Sequence, residues 1–200
     1  MGGIPLLILP IDKTRIAEKK NDVSSFYNTK EIEEVENVLK LCDGFILPGG
    51  DTWYQLDEMV IKYAIKYDKP LLAICLGMQA LSKVLNCKTK KVYDNTIKND
   101  TFINHYLPNE DYAHEVIIDK NSKLFSILKE EKIKVNSRHN YHVPPFLNTN
   151  YISARSLDGL IEGVEVRNKK FIIGVQWHPE TILEKDINAK KIFKAFFDNF

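Results

Sequence analysis

Cys75 stands where an apolar run, Pro70-Leu-Leu-Ala-Ile74, gives way to Leu76-Gly-Met-Gln79 and an amphipathic stretch. A cysteine at a strand-to-helix turn, with small Ala73 two places before it and Gly77 two places after, has the layout of a nucleophile elbow. There the helix N-terminus favours thiolate over thiol, and the backbone N–H of Leu76 can point at a developing oxyanion. A thiolate used for acyl transfer needs a base to take and return a proton. His178, in Trp177-His-Pro-Glu180, is the candidate, with Glu180 on the same side of an extended segment to orient its ring and Pro179 fixing the backbone between them. Gly49-Gly50 lets backbone N–H groups approach an anion. Each feature alone has a plainer reading: a buried structural cysteine, a strand-end histidine beside a solvated glutamate, an ordinary turn. Their conjunction favours the chemistry.

Such chemistry requires a scaffold that brings residues 49, 75 and 178 to one edge. Ile4-Pro-Leu-Leu-Ile-Leu9 reads as a short buried strand, followed by a polar loop over residues 11 to 29. Asn28-Thr29 offers an N-cap for a helix carrying Ile32, Val35, Val38 and Leu39. Gly44-Phe-Ile-Leu47 is a second apolar strand, ending in Pro48-Gly49-Gly50. The next helix carries Leu56, Met59, Val60, Tyr63, Ala64 and Tyr67, and the third strand is 70–74. This alternation predicts an α/β fold, an open and mostly parallel sheet with helices on both faces. Glycines 49 and 50 and Cys75 then share the C-terminal sheet edge, where such sheets bind ligands.

The second half predicts a smaller antiparallel β section. Residues 93 to 113 read as a long loop. Strands are expected over 115–118, 133–135, 151–154, 160–166 and 171–175, with a hairpin at Asp158-Gly159 and a turn at Arg167-Asn168-Lys169. A terminal helix places Ala189, Ile192, Phe193, Phe196, Phe197 and Phe200 on one stripe. No repeat or linker interrupts the 200 residues, which read as a single domain, 1–200.

Lys plus Arg is 28 and Asp plus Glu is 27, a formal net charge of +1, so charge gives no reason to expect a nucleic-acid or membrane partner. The basic stretch Lys88-Thr-Lys-Lys91 reads as a solvated turn. The three cysteines, Cys42, Cys75 and Cys87, are odd in number and match no zinc spacing, which suits a reducing compartment. With no long apolar run and no signal peptide, the expected localisation is cytoplasmic.

Taken together, Ala73-Ile-Cys-Leu-Gly-Met-Gln79, Leu47-Pro-Gly-Gly50 and Gly174-Val-Gln-Trp-His-Pro-Glu180 resemble the nucleophile, oxyanion and His-Pro-Glu motifs of the class I glutamine amidotransferase superfamily, in order and separation. The flavodoxin-like fold of that superfamily is therefore expected. Gly2-Gly-Ile-Pro-Leu-Leu-Ile-Leu-Pro10, Val135-Asn-Ser-Arg-His139 and Ser156-Leu-Asp-Gly-Leu-Ile-Glu162 resemble its γ-glutamyl-γ-aminobutyrate hydrolase-like branch. The resemblance implies Cys75 as nucleophile, His178 as base and Glu180 as orienter. It implies an oxyanion site at Gly49, Gly50 and Leu76, and substrate-proximal positions at Gln79, Asn136, Ser137 and His139. It implies no metal and no organic cofactor. The implied activity is hydrolysis of a γ-glutamyl amide to glutamate and an amine or ammonia. The alternatives are a glutaminase subunit feeding a separate synthetase chain, and a non-catalytic relative. The implied partners are a small γ-glutamyl substrate and either a second copy or that synthetase. Leu76 stands where the branch often has Arg, and His139-Asn-Tyr141 replaces its usual His-His-Gln. Relatives also carry a strand and helix before the Gly-Gly-Ile-Pro segment, so either the chain is truncated or its sheet lacks an ordinarily central strand.

Overall fold

The computed structural model of the protein describes residues 3–10, 27–85, 90–91, 103–144 and 151–200. Its main sheet has seven strands: β1 (Phe45–Leu47), β2 (Leu71–Ile74), β3 (His114–Ile118), β4 (Lys132–Val135), β5 (Ile152–Ser156), β6 (Ile161–Glu165) and β7 (Ile172–Val175). Their spatial order is β1-β2-β7-β6-β5-β3-β4. Helices α1 (Thr29–Lys40), α2 (Gln55–Tyr67), α3 (Leu76–Val84), α4 (Lys123–Leu128) and α5 (Ile187–Phe197) complete the α/β architecture. Among the described residues no helix is long and apolar enough to cross a membrane.

The expected class and flanking helices are present, but the antiparallel section is larger than the sequence suggests. Strand β2 pairs in parallel with β1 and β7, while the other four of the six pairings are antiparallel. Short connections explain two of these four, β5 with β6 and β6 with β7, because a parallel crossover needs a dozen residues or more. β5 turns into β6 through Asp158-Gly159, with Gly159 at a φ of 88° that suits glycine. β6 turns into β7 through Arg167 to Lys169, whose N–H donates to the Val166 carbonyl.

Strand β2 shows why an uninterrupted apolar run becomes a central strand. Leu71 and Ala73 join the core containing Leu39, Phe45, Leu56, Ile61 and Leu81, whereas Leu72 and Ile74 join the core containing Ile173, Val175, Ile192 and Phe196. With a hydrophobic layer on each face, alternation has no polar side to serve. α1 begins where expected: Asn28 Oδ1 accepts the Glu31 N–H at 2.9 Å and Glu31 Oε2 accepts the Asn28 N–H at 2.8 Å. α4, which the sequence reading missed, starts on a buried carboxylate. Glu165 accepts the N–H groups of Lys123 at 2.8 Å and Leu124 at 3.1 Å.

Three expectations are corrected. Residues 4 to 9 form no strand, and Ile4 is 99% and Leu7 80% exposed. Only Ile8 of this run packs on the core, because an apolar run becomes a strand only where a ladder receives it, and segment 3–10 pairs with no strand among the described residues. The described part of the 93–113 loop is partly ordered into the protein: Tyr106 and Leu107 pair with Arg138 and Ser137, and His105 is fully buried. Phe200 lies beyond α5 and is more than half exposed. Of the basic stretch, Lys90 and Lys91 pair with His142 and Tyr141; Lys88, Thr89, Cys87 and most of the 11–29 loop lie outside the described residues.

α3 leaves β2 so close to β1 that a Cβ on Gly77 would stand 2.6 Å from the Leu47 carbonyl oxygen and 2.8 Å from its Cβ. Both obstacles belong to a paired strand, so neither yields cheaply. Gly77→Ala is expected to lower stability in urea denaturation by about 1–3 kcal/mol, the usual cost of overpacking. An unchanged midpoint would show that the α3–β1 contact gives way.

Candidate active site

The parallel pairing of β2 with β7 sets residue 74 against 175, so both chains leave the sheet together. Cys75 donates its N–H to the Val175 carbonyl at 2.8 Å and then turns sharply, with φ 49° and ψ −102°, into α3. A cysteine at positive φ occupies sparsely populated backbone space, strain that surrounding structure must hold. The turn lifts the side chain off the ladder while leaving it only 7% exposed.

Past β7 the chain presents Gln176 and His178. Gln176 Nε2 donates to Cys75 Sγ at 3.5 Å, and the His178 imidazole lies within the electrostatic reach of both Cys75 and Glu180. His178 Nδ1 lies 2.6 Å from Glu180 Oε1. Burial alone would lower the His178 pKa, but its hydrogen bonds and charge interactions with Cys75 and Glu180 outweigh that and raise it to about 9.

The backbone of His178 is held as tightly as its ring. Asn136, fully buried at the end of β4, accepts the His178 N–H on Oδ1 at 2.8 Å and donates from Nδ2 to the His178 carbonyl at 2.9 Å and to Thr181 Oγ1 at 3.0 Å. Gly49 supplies the room. A Cβ there would lie 2.6 Å from His178 Cε1 and 3.4 Å from Cys75 Cβ. Gly50 is less constrained, with only Leu76 Cδ2 at 3.4 Å from the same test position.

Cys75, His178, Glu180, Gly49, Gly50 and Leu76 are therefore brought together. Gln79 reaches the cysteine only through a relay, its Nε2 donating to the Tyr141 carbonyl at 3.2 Å and to Gln176 Oε1 at 3.3 Å. Asn136, Ser137 and His139, expected near the substrate, are instead committed within the protein. Asn136 clamps His178, Ser137 Oγ donates to the His105 carbonyl at 2.8 Å, and His139 faces Glu162. The sequence reading missed Gln176. Its signal was present, because side chains two apart on a strand share a face and Gln176 precedes His178 by two.

A family profile described as Peptidase C26 matches residues 54–180, well over half of the chain. The chain belongs to the Peptidase C26 family. It is 34% identical to a Schizosaccharomyces pombe protein named as glutamine amidotransferase PB2B2.05, over 98% of this chain and 77% of that one. It is 27% identical to the γ-glutamyl-γ-aminobutyrate hydrolase PuuD of Escherichia coli, over 81% of this chain and 73% of that one. In fold it is similar to the glutaminase domain of Trypanosoma brucei CTPS, solved with bound acivicin, at a TM-score of 0.62 and 21% identity over 88% of this chain and 79% of that one. The C26 profile covers Cys75, Asn136, Gln176, His178 and Glu180 and stops short of Gly49 and Gly50.

The raised His178 pKa links stability to pH. Its contribution is fully present below the unfolded value near 6.5 and is lost as pH rises through about 9. NMR titration of the His178 ring should give a midpoint near 9, falling in Cys75→Ala as one of its two partners is removed. A midpoint that Cys75→Ala leaves in place would show that the two side chains do not interact.

Proposed function

We propose that this C26 protein hydrolyses a γ-glutamyl amide through a glutamyl-thioester on Cys75. The observation that carries the proposal is Cys75, on a strained turn, in contact with a histidine that a glutamate orients. As the Cys75 sulfur attacks the γ-carbonyl, its proton passes to His178. The tetrahedral oxyanion is received by the backbone N–H groups of Gly50 and Leu76. His178 gives its proton to the departing nitrogen as the C–N bond breaks, leaving the acyl group on sulfur and free amine or ammonia. Neutral His178 then takes a proton from water, the hydroxyl oxygen bonds to the acyl carbon, and the C–S bond breaks to release glutamate. Glu180 holds the ring in place and favours its protonated form. Asn136 and Gly49 fix where the ring can be.

One relative supports this reading and one structural neighbour favours a rival. PuuD is a hydrolase of a γ-glutamyl amide and shares most of the chain. The likeness to the CTPS glutaminase domain favours a second reading, a glutaminase that passes ammonia to a separate synthetase chain.

Glutamate release from glutamine and from a panel of γ-glutamyl amines separates the two. Release from the amines, with little from glutamine and a loss of at least about 10³-fold in Cys75→Ala, supports the stand-alone hydrolase. Release from glutamine alone favours the ammonia donor. No release from any of them by a folded chain would defeat both.

The pH profile tests the proton assignment. Acylation requires His178 to be protonated, so kcat/KM for the amide should fall as pH rises through about 9. Glu180→Gln removes one group that raises this pKa, so the alkaline limb should move to lower pH and the maximum should drop on the order of 10²-fold. An alkaline limb that stays in place would remove Glu180 from the mechanism.

A further inference from the structure

Away from Cys75, four buried side chains converge from four separate segments. His105 precedes the Tyr106–Leu107 pair, His114 opens β3, His139 lies between Arg138 and Tyr141, and Glu162 is on β6. One ligand atom from each lies within 4.8 Å of every other. Glu162 Oε1 is 3.2 Å from His105 Nδ1, 3.5 Å from His139 Nε2 and 3.8 Å from His114 Nε2. Glu162 and His105 are wholly buried and the other two histidines nearly so. Despite these separations, His105 Nδ1, His114 Nε2, His139 Nε2 and both Glu162 oxygens make no hydrogen bond. Five buried polar atoms facing one another without hydrogen bonds are costly.

The other nitrogen of each ring is engaged. His105 Nε2 lies 2.9 Å from Asp158 Oδ2, His139 Nδ1 lies 3.0 Å from the Tyr141 carbonyl oxygen, and His114 Nδ1 lies 3.3 Å from the Glu115 carbonyl oxygen. In a neutral ring, a nitrogen facing a carboxylate or carbonyl carries the hydrogen and the opposite nitrogen presents a lone pair toward the centre. This is how metal-binding histidines are oriented. Asp158 is itself fixed, accepting the Ser156 hydroxyl.

We infer that His105, His114, His139 and Glu162 form a binding site for one divalent transition-metal ion, with zinc the best match. Three imidazoles and one carboxylate are ligands that zinc accepts in tetrahedral geometry. At a Zn–N distance of about 2.0–2.1 Å, ligand atoms stand roughly 3.3 Å apart, close to the shortest separation observed, so small side-chain movements close the shell. Charge also balances, since Glu162 and Asp158 together offset a 2+ ion held by neutral imidazoles. All four positions are filled by protein, which marks a structural ion rather than one that activates water. Such an ion would tie the 105 loop, β3, the 136–142 segment and β6 into one unit. That unit includes Asn136, which holds the backbone of His178. The ion site stands apart from the proposed hydrolysis, and its test needs no substrate.

The full chain, stripped with chelator and dialysed, is titrated with Co(II) and read by visible absorption, in wild type and in Cys75→Ala so that the thiol cannot supply the ligand. The expected result is tetrahedral Co(II) bands saturating at one equivalent in both proteins, bleached by Zn(II), and a Tm that rises with added Zn(II). Uptake should vanish in Glu162→Gln and His139→Ala. Asp158→Asn, which leaves all four ligands in place, should bind about 10–100-fold more weakly. If stripping abolishes cooperative melting and Zn(II) restores it, the structural role is supported directly. Three results would overturn the proposal. One is a wild-type chain that folds cooperatively and takes up neither ion, which would make the cluster an imidazolium–carboxylate pair. The second is uptake that disappears in Cys75→Ala. The third is uptake that survives in both folded ligand variants.

Discussion

The pairing of β2 with β7 is the constraint on which the site depends. Two parallel strands in register end at the same level, so the residues just past one strand emerge beside those just past the other. Cys75 comes directly after β2 and is tied to Val175 by a backbone hydrogen bond; Gln176 and His178 come directly after β7. A shift of one residue would turn the His178 side of the chain away from the cysteine. The register is secured by fit, because a Cβ in place of Gly174 would stand 2.9 Å from Met78 Cγ and 3.0 Å from Val164 Cγ2, so a slip would drive a larger neighbour into α3 and β6. This packing thus does more than stabilise the sheet. It sets the separation between a sulfur and an imidazole that lie about a hundred residues apart in sequence.

Much of this was legible in the residues. Continuous apolar runs marked β2 and β7, Asn28 marked the start of α1, and Asp158-Gly159 marked a hairpin. Cys75 and His178-Pro-Glu180 could be found because each motif is local and ends a strand. The parallel half read well because its strands alternate with amphipathic helices. The antiparallel half was underestimated although its strands were legible, because an apolar run marks a strand but not the partner or direction it pairs in: β3 pairs with β4 on one side and β5 on the other. Residues 4 to 9 misled because an apolar run says that a segment prefers burial but not that an acceptor strand awaits it.

The histidines show a different limit. His105, His114, His139 and Glu162 have no spacing that links them, since each comes from a different part of the chain. Their meeting is a product of tertiary structure. The family resemblance placed the segment holding Asn136, Ser137 and His139 near the substrate as one piece. Side-chain direction separates them: Asn136 turns to His178, Ser137 to the 105 loop and His139 to Glu162. A resemblance in sequence places a segment, while packing decides which way each of its members looks.

The relay through Gln79 has a consequence for the sulfur it never touches. Both amide contacts of Gln79 are donations, one to the Tyr141 carbonyl and one to Gln176 Oε1. The Gln176 amide therefore has its oxygen end claimed, and its nitrogen end must face Cys75. Turning that amide over would put two donors against each other at Gln79 and a carbonyl lone pair against an electron-rich sulfur. An end-for-end ambiguity common to every glutamine is thus resolved by a residue one step removed, so that the sulfur always meets a hydrogen and never a second lone pair.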